Sequence, residues 1–276
     1  MAEHVYIAQI SDPHIKAGGK LSYRRVDTQA ALIAAIHTLN HLVPRPHLLL
    51  ISGDLVDFGR AEEYATLREV LDGLTMPFYL IPGNHDDRTH LRKCFPEHTY
   101  LTQHDEFLQW TVDDYPVRLI GLDSTVPGQA HGELCLRRLE WLDDRLNEQP
   151  NTPTLIMLHH HPFHSGIQHM DRQPLRNAKA FEAVLMGYHN IERVLCGHLH
   201  RSMQTRFANT LACSCPGVSH QVALQLDHDT PPAFVMEPPG YLLHRWSPEG
   251  DVMTHMGFVD GFAGPYPFYD ENGLID

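Results

Sequence analysis

The sequence predicts an α/β fold, because short apolar runs of strand length alternate with longer segments of helical period. Most of these runs end in a polar motif that contains Asp, Asn or His. The predicted strands cover residues 5–10, 48–51, 78–81, 117–122, 154–158 and 191–196. The predicted helices cover residues 27–42, 61–74, 134–146 and 178–186. Because open α/β sheets bind ligands beyond the carboxyl ends of their strands, we expect the polar motifs to converge at one sheet edge.

The helix predicted over residues 134–146 carries leucines at helical spacing, and we expect this face to lie in the core. The face consists of Leu136, Leu139, Leu142 and Leu146. After residue 202 the pattern changes, and residues 203–212 and 235–245 are each predicted to form a strand on either side of a Pro-rich segment. Residues 94–115 show no clear periodicity and receive no assignment.

The bulk composition excludes some classes of function. The chain has 276 residues, enough for one large domain, and 34 acidic against 21 basic side chains give a net charge of −13. A protein that binds duplex nucleic acid would need a basic patch, so we do not expect this activity. The unusual count is 22 histidines, many of them in tight clusters. Since neutral imidazole is the commonest metal ligand in proteins, the count favours a metal site.

The cysteines and the N-terminus predict a cytoplasmic protein. The five cysteines form neither a disulfide framework nor a zinc-ribbon spacing, which is typical of reduced thiols. The first residues lack the basic and apolar regions of a signal peptide. No stretch of about 20 apolar residues is present, so we expect no membrane span.

Asp54 is the residue around which the other motifs are arranged. The apolar run Leu48–Ile51 ends at Ser52, Gly53 and Asp54, as expected of a buried strand that stops sharply. One carboxylate has two oxygens, so Asp54 could bridge two metal ions. An isolated Gly-Asp pair is more typical of an Asp that caps a turn or helix, and only the other motifs favour the metal interpretation.

The polar residues at the predicted strand ends form a candidate set of metal ligands. The set comprises Asp12, His14, Asp54, Asn84, His159, His198 and His200. Oxygen and imidazole ligands together suit Fe, Mn, Zn or Co better than Ca, which prefers oxygen alone. With Asp54 shared, two metals would each have four ligands and open positions for water and substrate. Two such metals can lower the pKa of a bound water and stabilise an in-line displacement at phosphorus.

These motifs and their order resemble those of a known superfamily. The motifs are D-x-H at 12–14, G-D-x-x-D at 53–57, G-N-H-D at 83–86, H-H at 159–160 and G-H-x-H at 197–200. Their order resembles the calcineurin-like metallophosphoesterases, and within them the class III cyclic-nucleotide phosphodiesterases. Further stretches, at 59–64, 80–87, 216–222 and 269–272, are similar to bacterial glycerophosphodiesterases of that group. The resemblance covers nearly the whole chain.

The resemblance implies a fold and a domain division. The implied fold is a four-layer sandwich of two mixed β-sheets flanked by helices, with a small C-terminal segment that acts as a cap or an oligomer contact. Residues 1–202 would form the core with the dinuclear metal site. Residues 203–276 would add C-terminal strands and the segment that joins subunits in a homodimer or larger homo-oligomer.

The resemblance also implies a role for each site residue. One metal would be bound by Asp12, His14, Asp54 and His200, and the other by Asp54, Asn84, His159 and His198. Asp54, Asn84 and His85 would be catalytic, with His85 assisting the leaving group. Asn84, His85 and His220 would contact the substrate. From its place beside His159, His160 is expected either to contact the substrate or to orient a metal ligand. Two residues depart from the glycerophosphodiesterase pattern, Asp57 in place of Asn and the additional His161. They could alter the metal preference or the choice of substrate, and their individual roles stay open.

The function implied by the motifs and the resemblance is a dinuclear-metal phosphodiesterase. Its substrates would be small phosphodiesters, either glycerophosphodiesters or 3′,5′-cyclic nucleotides, which a hydroxide bound by the metals would attack. The alternatives are a phosphomonoesterase or phosphonate monoester hydrolase, and a metal-binding scaffold without catalysis. The scarcity of Lys and Arg near the motifs favours diesters over monoesters, and the complete ligand set disfavours a scaffold.

Overall fold

Strands and helices alternate along the first two thirds of the chain, as the sequence predicts. The structure is a computed structural model that describes residues 4–227, 229–249, 252–259 and 261–275. Its elements are β1 (Val5–Ile10), α1 (Thr28–Asn40), β2 (Leu48–Ile51), α2 (Ala61–Leu71), β3 (Phe78–Leu80), α3 (Arg88–Cys94), β4 (Trp110–Val112), β5 (Arg118–Leu122), α4 (Leu136–Glu148), β6 (Thr154–Leu158), α5 (Ala178–Leu185), β7 (Ile191–Cys196), β8 (Met203–Phe207), β9 (Thr210–Ser214), β10 (Gln221–Val222), β11 (Phe234–Val235), β12 (Gly240–Trp246), β13 (Val252–Phe258), β14 (Tyr269–Asp270) and β15 (Gly273–Leu274).

Two mixed β-sheets form the centre of the fold. The first sheet has the strand order β13-β12-β1-β2-β3, and the second has the order β4-β5-β6-β7-β9-β8. Within the first sheet β1, β2 and β3 are parallel, and β12 and β13 are antiparallel additions. Within the second sheet β5, β6, β7 and β9 are parallel, and β4 and β8 are antiparallel edges. The parallel strands β2, β5 and β6 are buried along their whole length, as expected when both faces of a sheet are covered.

Side chains along the strands of the second sheet alternate between two apolar clusters. In β6, Leu155 and Met157 belong to a cluster shared with the first sheet, whereas Ile156 and Leu158 face α4 and α5. The indole of Trp110 also joins the sheets, because its Nε1–H donates to the carbonyl of Leu80 at 2.8 Å. With α1 and α2 covering the first sheet, this gives four layers and confirms the predicted fold class.

Polar residues define where the helices begin. The Asp27 carboxylate accepts from the backbone N–H of Ala30, and the Asp87 carboxylate accepts from that of His90. The predicted core face of α4 is wrong at one position, because Leu136 is 70% exposed while Leu139, Leu142 and Leu146 are buried. The helix starts at Leu136 rather than at residue 134, so this leucine lies in the first turn at the edge of the contact.

Two predicted strands in the C-terminal part are each divided. Residues 203–212 form the β8–β9 hairpin, whose turn places Ala208 at a φ of 50°. Alanine seldom adopts this left-handed conformation, and the adjacent Asn209 is a turn signal that the predicted strand overlooked. Residues 235–245 contain the end of β11 and most of β12, with two prolines between them. Strands after residue 202 thus pair within both sheets.

The C-terminal segment beyond β13 exposes several aromatic side chains. Phe262, Tyr266, Phe268 and Tyr269 are between 64% and 79% exposed around the β14–β15 hairpin.

No helix in the described ranges has the length and hydropathy needed to cross a bilayer.

Replacement of Gly121 by alanine tests the packing between β4 and β5. A Cβ at this position would lie 2.3 Å from Cε2 of the buried Trp110 indole. Overpacking of this kind costs about 1–3 kcal/mol, so we expect Gly121→Ala to lower the free energy of unfolding by that amount in urea denaturation. Gly261→Ala is the control, because its Cβ meets no atom within 4 Å. Equal unfolding midpoints for the two variants would contradict this packing.

Candidate metal centre

Residues that follow the carboxyl ends of β1, β2, β6 and β7 converge on one cluster. The structure brings together all seven predicted ligands. Six of them lie in groups of neighbouring ligand atoms that share members around Asp54. Five of the seven have a left-handed backbone, with φ between 44° and 67°: Asp12, His14, Asp54, His198 and His200. Such a conformation is costly for residues other than glycine and is concentrated at functional sites. Tight turns therefore aim these side chains at one another.

One half of the cluster contains Asp12, His14 and His200. The Nε2 atoms of His14 and His200 lie 3.2 Å apart, and Nε2 of His200 lies 3.4 Å from Oδ1 of Asp12. Oδ2 of Asp54 approaches this half at 3.7 Å from Nε2 of His14. All four side chains are nearly completely buried.

The other half contains Asn84, His159 and His198. Nε2 of His159 lies 3.2 Å from Oδ1 of Asn84, 3.2 Å from Nδ1 of His198 and 3.3 Å from Oδ2 of Asp54. The same Asp54 oxygen thus faces both halves. This is the arrangement expected of a carboxylate that bridges two cations.

The second nitrogen of three of the four histidines fixes which tautomer is present. His159 donates from Nδ1–H to the Ser52 carbonyl, His200 from Nδ1–H to the His220 carbonyl, and His198 from Nε2–H to the Gln173 carbonyl. The nitrogens that face the cluster therefore carry lone pairs.

Lone pairs that face each other repel unless a cation lies between them. The contact at 3.2 Å between His159 and His198 is of this kind in the neutral tautomers. The contact at 3.2 Å between His14 and His200 is of the same kind when His14 carries its proton on Nδ1, the nitrogen on the side of Asp57. A proton can occupy one such position, and a divalent ion satisfies a whole half. The donor set of imidazole and carboxylate or amide oxygen fits Fe, Mn, Zn or Co.

The charges of the cluster shift the pKa values of its members. Burial raises the pKa of Asp54, but the neighbouring histidines, His159 first, lower it well below its usual value. Burial lowers the pKa of His159, but the Asp54 carboxylate raises it further, to about 9. Without metal, His159 therefore carries a proton at neutral pH.

His85 lies at the rim of the cluster rather than within it. Its side chain is 36% exposed, and its Nε2 lies 4.0 Å from Oδ2 of Asp54. Its Nδ1–H donates to the backbone carbonyl of Asp57 at 2.7 Å, which orients the ring. The Asp54 carboxylate raises the pKa of His85 despite the opposing effect of burial. A partly exposed imidazole held in this way can exchange a proton with a ligand above the cluster.

Asp57 and Lys16 form an ion pair beneath His14 and His85. Oδ2 of Asp57 accepts from the Lys16 ammonium, and its Oδ1 lies 3.4 Å from Nδ1 of His14. Burial raises the pKa of Asp57, but the neighbouring His14 and Lys16 side chains lower it to about 2. The carboxylate that departs from the family pattern thus supports the metal-facing orientation of His14.

Asp86 holds the turns around Asp54 and Asn84 together. Its Oδ2 accepts from the backbone N–H groups of Gly83 and Leu55, at 2.8 and 3.0 Å, and its Oδ1 accepts from the Tyr64 hydroxyl at 2.8 Å. Burial raises the pKa of Asp86 to about 7. The role of this residue is to fix backbone, and it contributes no atom to the clustered donors.

A cleft of about 490 Å³ opens above the cluster. Its floor includes His14, Asp54, Asn84, His198 and His200, and His85 stands at its side. One wall consists of aromatic rings that the sequence did not single out. Tyr23 and Phe234 stack with ring centroids 5.0 Å apart, and both contact the ring of His220 edge-on.

The remaining candidates lie away from the cleft. His160 is completely buried, its Nδ1 is 2.8 Å from the Ser124 hydroxyl, and it is absent from the cleft lining. The structure therefore does not bring His160 to the place expected of a substrate contact. His161 is equally buried, with Nε2 3.8 Å from Asp171 and its ring stacked on that of His198. A ring nitrogen of His160 nevertheless lies within 4.8 Å of ring nitrogens of His159 and His198, so this imidazole borders the cluster outside the cleft.

A larger cleft of about 600 Å³ lies between the edge strands β3 and β4. It is lined by Phe78, Tyr79, Tyr100 and acidic side chains such as Asp113. None of the clustered donor groups found in the described part of the chain lies there. The smaller cleft, which contains these donor groups, is therefore the candidate active site.

The raised pKa of His159 predicts that metal binding releases protons. Because metals bind neutral imidazole, an ion must displace the His159 proton below about pH 9, so affinity should rise with pH up to that value and fall on acidification. Calorimetric titration with Co²⁺ at pH 7.5, in two buffers of different ionisation enthalpy, measures the release. We expect at least about one proton per chain. Binding without net proton release would contradict the charge state of His159.

Comparison with known proteins gives a consistent result. Residues 5–202 match the calcineurin-like phosphoesterase family. The chain is 42% identical to the "Probable glycerophosphodiester phosphodiesterase GpdQ" of Arcobacter nitrofigilis, over 98% of this chain and 99% of that protein. It is 31% identical to the 3′,5′-cyclic adenosine monophosphate phosphodiesterase CpdA of Escherichia coli K12, over 72% and 70% of the two chains.

A solved structure supports the same fold. A dimetal phosphatase from Danio rerio superposes with a TM-score of 0.63 at 16% identity, over 93% of this chain and 99% of that one. The family match covers well over half of the chain, and the fold and donor cluster agree with it. The protein belongs to the calcineurin-like phosphoesterase family.

Proposed function

We propose that this protein is a dinuclear-metal phosphodiesterase that hydrolyses small phosphodiesters. The observation that carries the proposal is the position of the Asp54 carboxylate, which faces two sets of metal-ligand donor atoms at the floor of an open cleft. The similarity to a glycerophosphodiesterase over nearly the whole chain favours glycerophosphodiesters as substrates. Cyclic nucleotides are the competing class, since a cyclic-nucleotide phosphodiesterase is also similar.

Each metal is assigned a set of four ligands. The first set is Asp12, His14, Asp54 and His200, and the second is Asp54, Asn84, His159 and His198. When bound, two such ions supply Lewis acidity toward the phosphoryl oxygens and activate the attacking water. The donors suit Fe, Mn, Zn or Co, and the choice among these metals stays open.

His85 is assigned the role of proton donor to the leaving alcohol. The carbonyl of Asp57 holds its Nδ1, so that Nε2 faces the cleft beside Asp54. The Asp54 carboxylate raises the pKa of His85, which is the direction that favours a general acid. Asn84 contributes its amide oxygen at the floor, and His220 lines the wall on which the alcohol portion of the substrate would lie.

The charge of the cleft favours diesters over monoesters. A phosphomonoester carries a second negative charge, which a basic side chain would stabilise. The cleft lining contains neither Lys nor Arg among the described residues. The nearby ammonium, that of Lys16, is already paired with Asp57 and is only 14% exposed. A singly charged diester therefore matches the site better.

Three further properties belong to the proposal. The exposed aromatic side chains of residues 262–269 supply apolar surface for a second copy of the chain, in a homodimer or larger homo-oligomer. The proposed division into a core at 1–202 and a C-terminal part at 203–276 assigns this exposed segment to the C-terminal part. All five cysteines are free thiols, which is consistent with a reducing cytoplasm.

Restoration of activity by metal tests the proposed function. Protein stripped with a chelator and reloaded with Mn²⁺, Co²⁺ or Zn²⁺ should hydrolyse bis(p-nitrophenyl) phosphate faster than p-nitrophenyl phosphate. Asn84→Ala should lose at least about tenfold in diester turnover, because it removes an oxygen at the cluster. Asn209→Ala, in the β8–β9 turn, is the control and should keep wild-type turnover.

Two outcomes would contradict the proposal. Turnover confined to the monoester would indicate a phosphatase or phosphonate monoester hydrolase. Two bound metals without turnover of either ester would indicate a metal-binding scaffold. Glycerophosphoethanolamine and cyclic AMP, compared next, separate the two classes of diester.

Replacement of Asp57 tests the support beneath His14. Asp57→Asn leaves the nearly buried Lys16 ammonium without a carboxylate and weakens the partner of His14 Nδ1. Outer partners of metal-ligating histidines are worth about 10–100-fold in affinity, so one of the two metal-binding steps should weaken by about tenfold. Asp105→Asn, at an exposed position, is the matched control. Unchanged affinity in both variants would show that Asp57 does not act through His14.

A further inference from the structure

A chain of buried hydrogen bonds crosses the first sheet and ends at the backbone that holds His159. Its side chains belong to Thr254 of β13, His244 of β12, Gln9 of β1, and Ser52 after β2. Thr254 Oγ1 lies 2.9 Å from Nδ1 of His244, and Nε2 of His244 lies 3.1 Å from Oε1 of Gln9. The Gln9 amide then donates to Oγ of Ser52 at 2.9 Å.

Donors and acceptors along this chain follow one direction. The Thr254 hydroxyl donates to Nδ1 of His244, and Nε2–H of His244 donates to the Gln9 carbonyl oxygen, which leaves the Gln9 amide group free to donate onward. The Ser52 hydroxyl donates to Oγ of Ser11 at 2.8 Å, and Ser11 in turn donates to the Ser52 carbonyl at 3.4 Å. Each of these hydrogen bonds thus has one donor and one acceptor while every side chain is neutral. Burial lowers the pKa of His244 to about 3, which agrees with a neutral ring.

These polar side chains lie where an unpaired hydrogen-bonding group would cost free energy. Gln9, Ser11, Ser52 and His244 are all completely buried between the two sheets. Polar side chains in such a place require full hydrogen bonding, and a complete network makes its members rigid. Apolar side chains would fill the same space without that requirement.

The last residue of this series of hydrogen bonds, Ser52, contacts the metal centre directly. The Ser52 carbonyl accepts from Nδ1–H of His159 at 2.8 Å, which leaves Nε2 facing the cluster. Ser52 also precedes the left-handed turn at Gly53 and Asp54. The orientation of one peptide group therefore determines both the tautomer of His159 and the start of the turn that presents Asp54.

From this geometry we infer that Gln9 and His244 are positioning residues for the metal ligand His159. They act through the Ser52 hydroxyl, which they hold in the orientation that keeps the Ser52 carbonyl on Nδ1 of His159. The inference rests on the ligand sets of the proposed function. It assigns a role in metal affinity to residues on β1 and β12 that do not line the cleft.

A merely structural role is the alternative that the test must separate. Gln9 also donates to the carbonyl of Cys196 in β7 at 3.2 Å, so it joins the two sheets. Loss of that bond would lower stability whether or not His159 is affected. Metal affinity and the absorption spectrum of bound Co²⁺ report on the ligand itself, and thermal unfolding reports on the sheets.

The experiment compares four variants of the full chain by Co²⁺ titration and thermal unfolding. His244→Phe and Gln9→Leu interrupt the chain and should weaken one metal-binding step by about tenfold, with a changed visible spectrum. His159→Ala identifies that step, because it removes the ligand. Leu242→Ala, at a buried position on the same strand, should lower the unfolding temperature and leave affinity and spectrum unchanged.

Two further variants keep the inference testable if His244→Phe does not fold. His244→Gln offers a carbonyl to Thr254 and an N–H to Gln9, and should restore affinity toward wild type. Thr254→Val removes only the outermost donor, on a partly exposed side chain, and should give a smaller loss of affinity in the same step.

Wild-type Co²⁺ affinity and spectrum in Gln9→Leu and Thr254→Val, together with a lower unfolding temperature in Gln9→Leu, would overturn the inference. The outcome is separate from that of the proposed function. Weakened metal binding in these variants supports positioning even when the wild-type protein shows no diester turnover. Normal turnover with unchanged metal binding in the variants supports the function alone.

Discussion

The Asp54 carboxylate faces two groups of lone pairs, and the rest of the structure depends on that contact. Imidazole nitrogens that approach one another within 3.2 Å are stable only with a proton or a cation between them. Backbone carbonyls remove the alternative tautomers of His159, His198 and His200 by accepting from the second nitrogen of each of these rings. The protein therefore maintains an unfavourable set of acceptors in a buried place, which is a property of sites that bind metal ions.

Strained turns and close backbone approach hold this set in place. The Asp54 turn begins at Gly53, where φ is 91° and a Cβ would lie 2.5 Å from Nδ1 of His159. Left-handed residues follow the ends of strands from both sheets. The two sheets and their four layers of apolar packing supply the stability that offsets this strain. Catalytic geometry and fold are thus coupled through the strand ends.

Much of the fold and site could be predicted from the sequence because the signals are local. Apolar runs that stop at Gly or Pro mark β2 and β3, and the polar motifs that follow them supply the donors around Asp54. Contacts between distant residues had no such signal: β12 pairs with β1 across more than 230 positions, and Tyr23 meets Phe234 only in the folded chain. Leu136 was misassigned because helical period alone does not reveal where the contact with the sheet ends.

We propose that two cations share the Asp54 carboxylate. This is tested directly by a crystal structure of the protein loaded with Mn²⁺, with anomalous diffraction measured near the manganese edge. We expect two anomalous peaks on either side of Asp54, one contacted by His14 and His200 and the other by His159 and His198. A single peak, or two peaks that do not share Asp54, would show that the carboxylate does not bridge two ions.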